Sequence, residues 1–176
     1  MRRRGVLSFL RALAALDLRL LRLLRTRGHS PPVEGAAIQL ARSGENGLLW
    51  YVIALCGAAL GRRGGRDPYF RAVKIVLATL VANTIVKQVV RRARPVLEEE
   101  LPALTPVLSG RSYPSAHSST SFAGARALSA AGMPAAPLYA VAVAMALSRP
   151  YLGVHYPSDI VAGAVLGDSM ARFMTP

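Results

Sequence analysis

The chain has 176 residues, enough for one domain, and is 52% hydrophobic with 18% charged residues, yet its net charge is +13. Basicity alone points to nucleic acid or to an anionic membrane surface; the long apolar runs between the basic clusters favour the membrane and argue against nucleic acid. A lone cysteine, Cys56, excludes an intrachain disulfide and a cysteine-based zinc site, and its apolar setting reads as a small buried core residue.

Residues 6–27 are leucine-rich, with Ser8, Arg11, Arg19 and Arg22 recurring at helical spacing on one side. That pattern suits a helix lying in the membrane interface, or a poor spanning helix hidden in a bundle. Arg11, Asp17, Arg19 and Arg22 interrupt the apolar run and no small-residue cleavage site follows, so the segment reads as retained rather than as a cleaved signal. His29-Ser30-Pro31-Pro32 breaks the helix, leaving His29 in an interfacial loop, and Ser30 before Pro31 predicts a second short helix over 31–43. Turn chemistry at 43–47 precedes an apolar segment, 48–60, and a basic loop, 61–67.

A long apolar helix is predicted over 69–92, ending in Lys87, Arg91 and Arg92. The loop 95–114 holds Glu98, Glu99 and Glu100, read as a solvated face. Residues 116–131 are rich in Ser, Ala and Gly, 136–148 are apolar, and 158–173 form a last helix with Gly163 and Gly167 at the spacing that lets helices approach closely. Several runs fall short of the ~20 residues that cross a bilayer alone, so they must lean on one another. The expected fold is all-α: a multi-pass membrane helical bundle of about six helices, the first one or two amphipathic. It reads as a single domain, with amphipathic helices in 1–46 and a catalytic helical core in 47–176.

Three clusters carry chemistry. Lys87, Arg91 and Arg94 share a face if the helix persists to Pro95. Ser115 caps the helix that follows, so that free amides beginning at Ala116 and the ring of His117 meet any anion there. Arg149, His155 and Asp159 occupy one loop that opens a helix, with the carboxylate spaced to orient the imidazole. Each cluster is unremarkable alone; helix parity places all three on one membrane face. Cations, histidines, an acid and a helix N-terminus together make an inventory for phosphoryl transfer.

The pattern of Lys87, six residues, Arg94-Pro95, then Pro114-Ser115-Ala116-His117, then Ser148-Arg149, five residues, His155, three residues, Asp159 resembles the type 2 phosphatidic acid phosphatase superfamily over roughly residues 80–170. The resemblance implies a six-helix core, hydrolysis without metal or other cofactor, and a phosphohistidine intermediate. It implies that Lys87, Arg94, Arg149, Ser115 and the amide of Ala116 bind phosphate, that His117 protonates the leaving group, and that His155 is the nucleophile oriented by Asp159. Ala116 stands where the family usually has glycine, which restricts the backbone but keeps the N–H. Arg91, outside the family motif, is a candidate contact for a second anionic group.

A membrane location favours a lipid-linked phosphate: a polyprenyl phosphate or diphosphate, a phosphatidate-type lipid, or a polyprenyl-linked sugar phosphate. The Ala/Arg-rich composition resembles actinobacterial members, small ones of which act on decaprenyl-linked phosphoribose in cell-wall synthesis. The alternatives are a non-catalytic basic membrane protein that binds anionic lipids, and a vanadate-dependent haloperoxidase, which the short hydrophobic chain disfavours. Arg62, Arg63, Arg66 and Arg71 lie opposite the three clusters, so the positive-inside tendency puts the site on the extracytoplasmic face of a bacterial plasma membrane. Finally, Arg126 and Asp168 each lie nine residues beyond a site residue within an apolar helix, which predicts an ion pair between those helices.

Overall fold

The computed structural model describes residues 2–60, 65–96, 103–106 and 110–175, with no account of side chains in 2–10. The expectations for Arg62, Arg63, Glu98, Glu99 and Glu100, and for the side chain of Ser8, fall outside the described residues. The described chain forms seven α-helices, where about six were expected: α1 (Arg2–Thr26), α2 (Pro31–Ser43), α3 (Leu48–Ala59), α4 (Asp67–Val90), α5 (Ala116–Ala130), α6 (Ala135–Tyr151) and α7 (Pro157–Met174). A 3-10 turn, Glu45–Gly47, joins α2 to α3. Among the described residues the extended backbone is limited to one isolated antiparallel bridge, Ala93 to Arg111.

Helix α5 runs through the middle of the bundle against α4, α6 and α7. Its interior is made of small and hydroxyl side chains: Ser118, Ser119, Thr120, Ser121, Ala123 and Ala125 are all buried. Small residues let backbones approach. A Cβ on Gly163 of α7 would fall 2.6 Å from the Ser115 carbonyl oxygen, and one on Gly167 would collide with the Ser119 carbonyl. The same logic holds at Gly124, which receives the indole of Trp50; that indole donates to Ser121 Oγ at 3.0 Å.

Trp50, Tyr69, Ile75, Leu128 and Met145 are buried inside, but many other large apolar side chains point outward. Val81, Ile85, Val161 and Val165 are exposed, and only 22% of the most apolar window of α4 is buried against the rest of the chain. Among the described residues α4 is the one helix long and apolar enough to cross a membrane by length and composition. Cys56 follows this inverted pattern. It is exposed on α3, not buried as expected, because the outer surface of this bundle is itself apolar.

Helix α1 has three faces. Leu13, Leu16, Leu20 and Leu23 form an exposed apolar stripe, and Arg11, Arg19 and Arg22 an exposed basic one. Between them Asp17, Leu21 and Arg25, spaced one helical turn apart, are buried against the bundle at 7%, 0% and 7% exposure. Past α1, His29 stacks on Tyr151 at 4.0 Å between ring centroids and pairs with Glu34, so it fastens the interhelix turn rather than standing loose in a loop.

Helix α4 ends at Val90, earlier than predicted. Arg91 takes a left-handed conformation (φ 54°) and its N–H closes the helix on the Lys87 carbonyl. The face expected to carry Lys87, Arg91 and Arg94 together therefore does not persist: the chain turns at Arg91 and runs extended toward Arg94.

Candidate active site

Sequence-distant ends meet at one end of the bundle. Lys87 closes α4, Ala116 and His117 open α5, Arg149 ends α6, and the loop before α7 carries His155. Together with Arg94 these residues line a cavity of about 340 Å³. Glu45, Asn46, Asn83 and Arg111 share the same walls.

The turn into α5 is built as its sequence foretold. Ser115 is the N-cap, and its Oγ accepts from the Ser118 amide at 3.4 Å. Its own N–H donates to the Asp159 carbonyl, joining the start of α5 to the start of α7. Ser115 is fully buried behind the wall, leaving the first-turn amides from Ala116 as the donors at the cavity. Ala116 is already helical, a conformation open to any L-residue, so the absent glycine imposes no strain there.

His155 is 2% exposed. Arg94 Nη1 lies 3.2 Å from His155 Nε2 and also donates to the Val154 carbonyl at 2.7 Å. A guanidinium only donates, so Nε2 is the acceptor and the ring proton sits on Nδ1. Nδ1–H then donates to Asp159 Oδ2 at 3.3 Å. Burial lowers the pKa of His155 well below its ordinary value, and Arg94, Arg149 and Lys87 add to the effect. The ring is thereby neutral, with a lone pair on the atom nearest Arg94.

Asp159 is fully buried and fully used: Oδ2 also accepts from the Tyr156 amide at 2.9 Å, and Oδ1 from Arg92 Nη1 at 2.9 Å. The sequence marked Arg92 only as one of the basic residues ending a helix; among neighbouring arginines no spacing rule singled it out as a site residue. Its guanidinium sits 3.9 Å over the Tyr156 ring and reaches Asp17 on α1 at 2.7 Å. Burial works against its charge, but the Asp17 hydrogen bond and the charge of Asp159 outweigh that and raise its pKa.

On the opposite wall His117 Nε2–H donates to the carbonyl of Ala41, in the last turn of α2, at 2.9 Å. The bond engages Nε2 and leaves Nδ1 as the ring nitrogen able to exchange a proton. Asn83 was also missed. Its Nδ2 pins α4 to the Pro114 carbonyl (3.2 Å) and to Ser119 Oγ (3.1 Å), while the buried Oδ1 has no hydrogen-bond partner. Arg149 is 5% exposed with Nε likewise unpartnered, and Nη1 of Arg111 is in the same state. Buried polar atoms of this kind are costly unless something completes them.

Arg91 is not at the cavity. It is exposed, with Nε folded back on the Gln88 carbonyl at 2.9 Å, a direct result of the early end of α4. Far from the site, Arg126 Nη1 does meet Asp168 Oδ1, at 2.9 Å, and Arg172 takes the other oxygen at 2.7 Å.

Comparison with known proteins agrees with this geometry. A family model described as PAP2 superfamily matches residues 68–176. The chain belongs to the PAP2 superfamily. Within curated proteins it is 37% identical over 150 residues to the decaprenylphosphoryl-5-phosphoribose phosphatase of Mycobacterium tuberculosis, covering 82% of this chain and 80% of that one. The protein of the same name from Mycolicibacterium smegmatis is 36% identical over 134 residues, covering 76% and 72%. Two solved PAP2-like folds superpose well. The transmembrane PAP2 type phosphatidylglycerolphosphate phosphatase of Bacillus subtilis has a TM-score of 0.74 at 21% identity, over 93% of this chain and 84% of that one. LpxE of Aquifex aeolicus has a TM-score of 0.72 at 24% identity, over 90% and 94%. Between them these PAP2 relatives establish the all-helical fold and the phosphatase family.

Proposed function

We propose that this chain hydrolyses the terminal phosphate of a polyprenyl-linked sugar phosphate, of the decaprenylphosphoryl-5-phosphoribose kind, through a phosphohistidine on His155. The observation that carries the proposal is the neutral, cation-flanked Nε2 of His155 at a cavity shared with Lys87, Arg149 and His117. The substrate class is supported by the named activity of relatives that match most of the chain.

In the first step His155 Nε2 bonds to phosphorus and the phosphorus–oxygen bond to the sugar breaks. Lys87, Arg94, Arg149 and the Ala116 amide hold the phosphoryl oxygens, while Ser115 keeps that amide in place. Asp159 accepts the Nδ1 proton bond that strengthens as the ring becomes positive. His117 gives its Nδ1 proton to the departing alcohol oxygen. In the second step water attacks phosphorus, His117 takes its proton, and the N–P bond breaks to release inorganic phosphate.

The reading includes a multi-pass membrane domain in which α3 to α7 lean on one another, supported by the outward apolar faces and by α4. It puts the cavity on the extracytoplasmic face. Arg66 and Arg71 at the opposite end support that side; Arg11, Arg19 and Arg22 of α1, at the cavity end, oppose it. Labelling of single cysteines placed at Gly110 and at Gly65 in intact cells decides between the two.

The test is phosphate release from a panel of lipid phosphates in detergent. Decaprenylphosphoryl-5-phosphoribose should be turned over fastest, with activity unchanged by excess EDTA, and His155→Ala should bring release to background. Full activity in His155→Ala would end the proposal, as would loss in EDTA restored by a divalent cation.

A further inference from the structure

Helix α1 delivers a carboxylate to the back of the nucleophile. We propose that Asp17 and Arg92 are positioning residues for His155, so that turnover depends on the seating of this interfacial helix. The inference rests on the hydrolytic role of His155 proposed above.

Four side chains form a continuous chain of bonds. Asp17 Oδ2 accepts from Arg92 Nη2 at 2.7 Å, Asp159 Oδ1 from Arg92 Nη1 at 2.9 Å, and Asp159 Oδ2 from His155 Nδ1 at 3.3 Å. Asp17 also accepts from the backbone N–H and the hydroxyl of Ser158, in the first turn of α7. That contact places a carboxylate at a helix N-terminus, where it is favoured, and ties α1 to the element bearing Asp159.

The arrangement of Arg92 is informative. A guanidinium facing a carboxylate prefers to bind both oxygens in parallel. Here it is split, one nitrogen to each of two carboxylates. Asp17 thereby keeps Arg92 off the second oxygen of Asp159, which stays with His155 and the Tyr156 amide. Without the Asp17 charge, Arg92 is free to take both oxygens of Asp159 and weaken the bond that orients the imidazole.

The three-faced character of α1 supplies the reason for the link. Its leucine stripe and arginine stripe suit lipid and water respectively. Its third stripe holds Asp17 on Ser158 and lays the Arg25 side chain over Gly153, where a Cβ would meet Arg25 Cδ at 3.4 Å. The loop carrying His155 is thus held at both ends by α1.

The test uses the full chain, with Asp17→Asn, Asp17→Ser and Asp17→Glu assayed beside Arg92→Gln. Asp17→Asn and Asp17→Ser can still accept the Ser158 bond but cannot hold Arg92 by charge. We expect kcat to fall by about tenfold, the scale on which the outer partner of an oriented imidazole acts, with KM within about twofold of wild type. Asp17→Glu should recover part of the loss. In the Arg92→Gln background, Asp17→Asn should cost almost nothing more. The acid limb of kcat/KM should also move to lower pH, because a weakened Asp159 stabilises the imidazolium less; Lys87, Arg94, His117, Arg149 and Asp159, which face His155, are unchanged in these variants. Wild-type kcat in Asp17→Ser, or losses that add fully with Arg92→Gln, would overturn the inference while leaving the His155→Ala result untouched. If Asp17→Asn proves too unstable to purify, Asp17→Ser carries the same comparison.

Discussion

Arg94 holds a cation 3.2 Å from the one nitrogen of His155 that carries a lone pair. A positive charge there disfavours a second positive charge on the ring, which is what the proposed nucleophilic role of His155 requires.

The pH profile should report this. Free histidine loses its lone pair below about pH 6.5. His155 has its pKa lowered by burial and by Arg94, Arg149 and Lys87, so kcat/KM should stay level through that value and fall only at lower pH. Arg94→Ala removes a cation, which raises the His155 pKa and shifts the acid limb upward. An acid limb at the wild-type position in that variant would contradict the assignment.

His117 is held by α2 through Nε2, which in the proposed mechanism leaves Nδ1 to act on the leaving group. His117→Ala should slow hydrolysis of an alkyl phosphate by roughly 10²–10⁴-fold, the usual weight of general acid catalysis. An aryl phosphate, whose leaving group needs no proton, should recover most of that loss. Equal damage with both substrates would remove the proton-donor role.

Recognition of a second phosphate should fall to Arg111 rather than to Arg91. Arg111 lines the cavity with Nη1 buried and unpartnered, whereas Arg91 is turned back on Gln88. Arg111→Ala should raise KM for a lipid carrying both a phosphodiester and a terminal phosphate by about tenfold, the worth of one hydrogen bond to a charged group. The effect on a simple lipid monophosphate should be smaller, and Arg91→Ala should leave both unchanged. Titration of KM for the two substrates checks it.

Asp168 serves two arginines, Arg126 across helices and Arg172 along its own. The pair is half-buried, so each bond should be worth no more than roughly 1 kcal/mol. Asp168→Asn should lower thermal stability more than Arg126→Gln does, and the double variant should cost less than the two losses added. Strict additivity would mean that the contact contributes nothing.

Much of this site was written in spacing. Lys87, Arg94, His117, Arg149 and His155 stand at helix ends or in the loops beside them, and alternation of direction from helix to helix sends those ends to one face. The Arg126–Asp168 contact followed from counting residues inward from that face. What spacing could not convey depends on how chain turns and helices dock. Termination at Val90, two residues early, and a left-handed Arg91 decide which arginine enters the site, and nothing in a run of Arg-Arg-Ala-Arg marks that choice. Asp17 and the Ala41 carbonyl belong to amphipathic helices whose partners cannot be read from their own pattern; Asp17 looked like one more interruption in a leucine run. Cys56 misled because apolar sequence means interior in water and exterior in lipid.

The glycine contacts between α5 and α7 have a mechanical consequence. Where a backbone carbonyl rests directly on a glycine, as Ser115 on Gly163 and Ser119 on Gly167, no side chain is available to change rotamer and absorb a shift. The turn that opens α5 and the helix that follows His155 are therefore locked as a single block, which in the proposed mechanism would fix the distance between the attacking nitrogen and the groups that hold the phosphoryl oxygens.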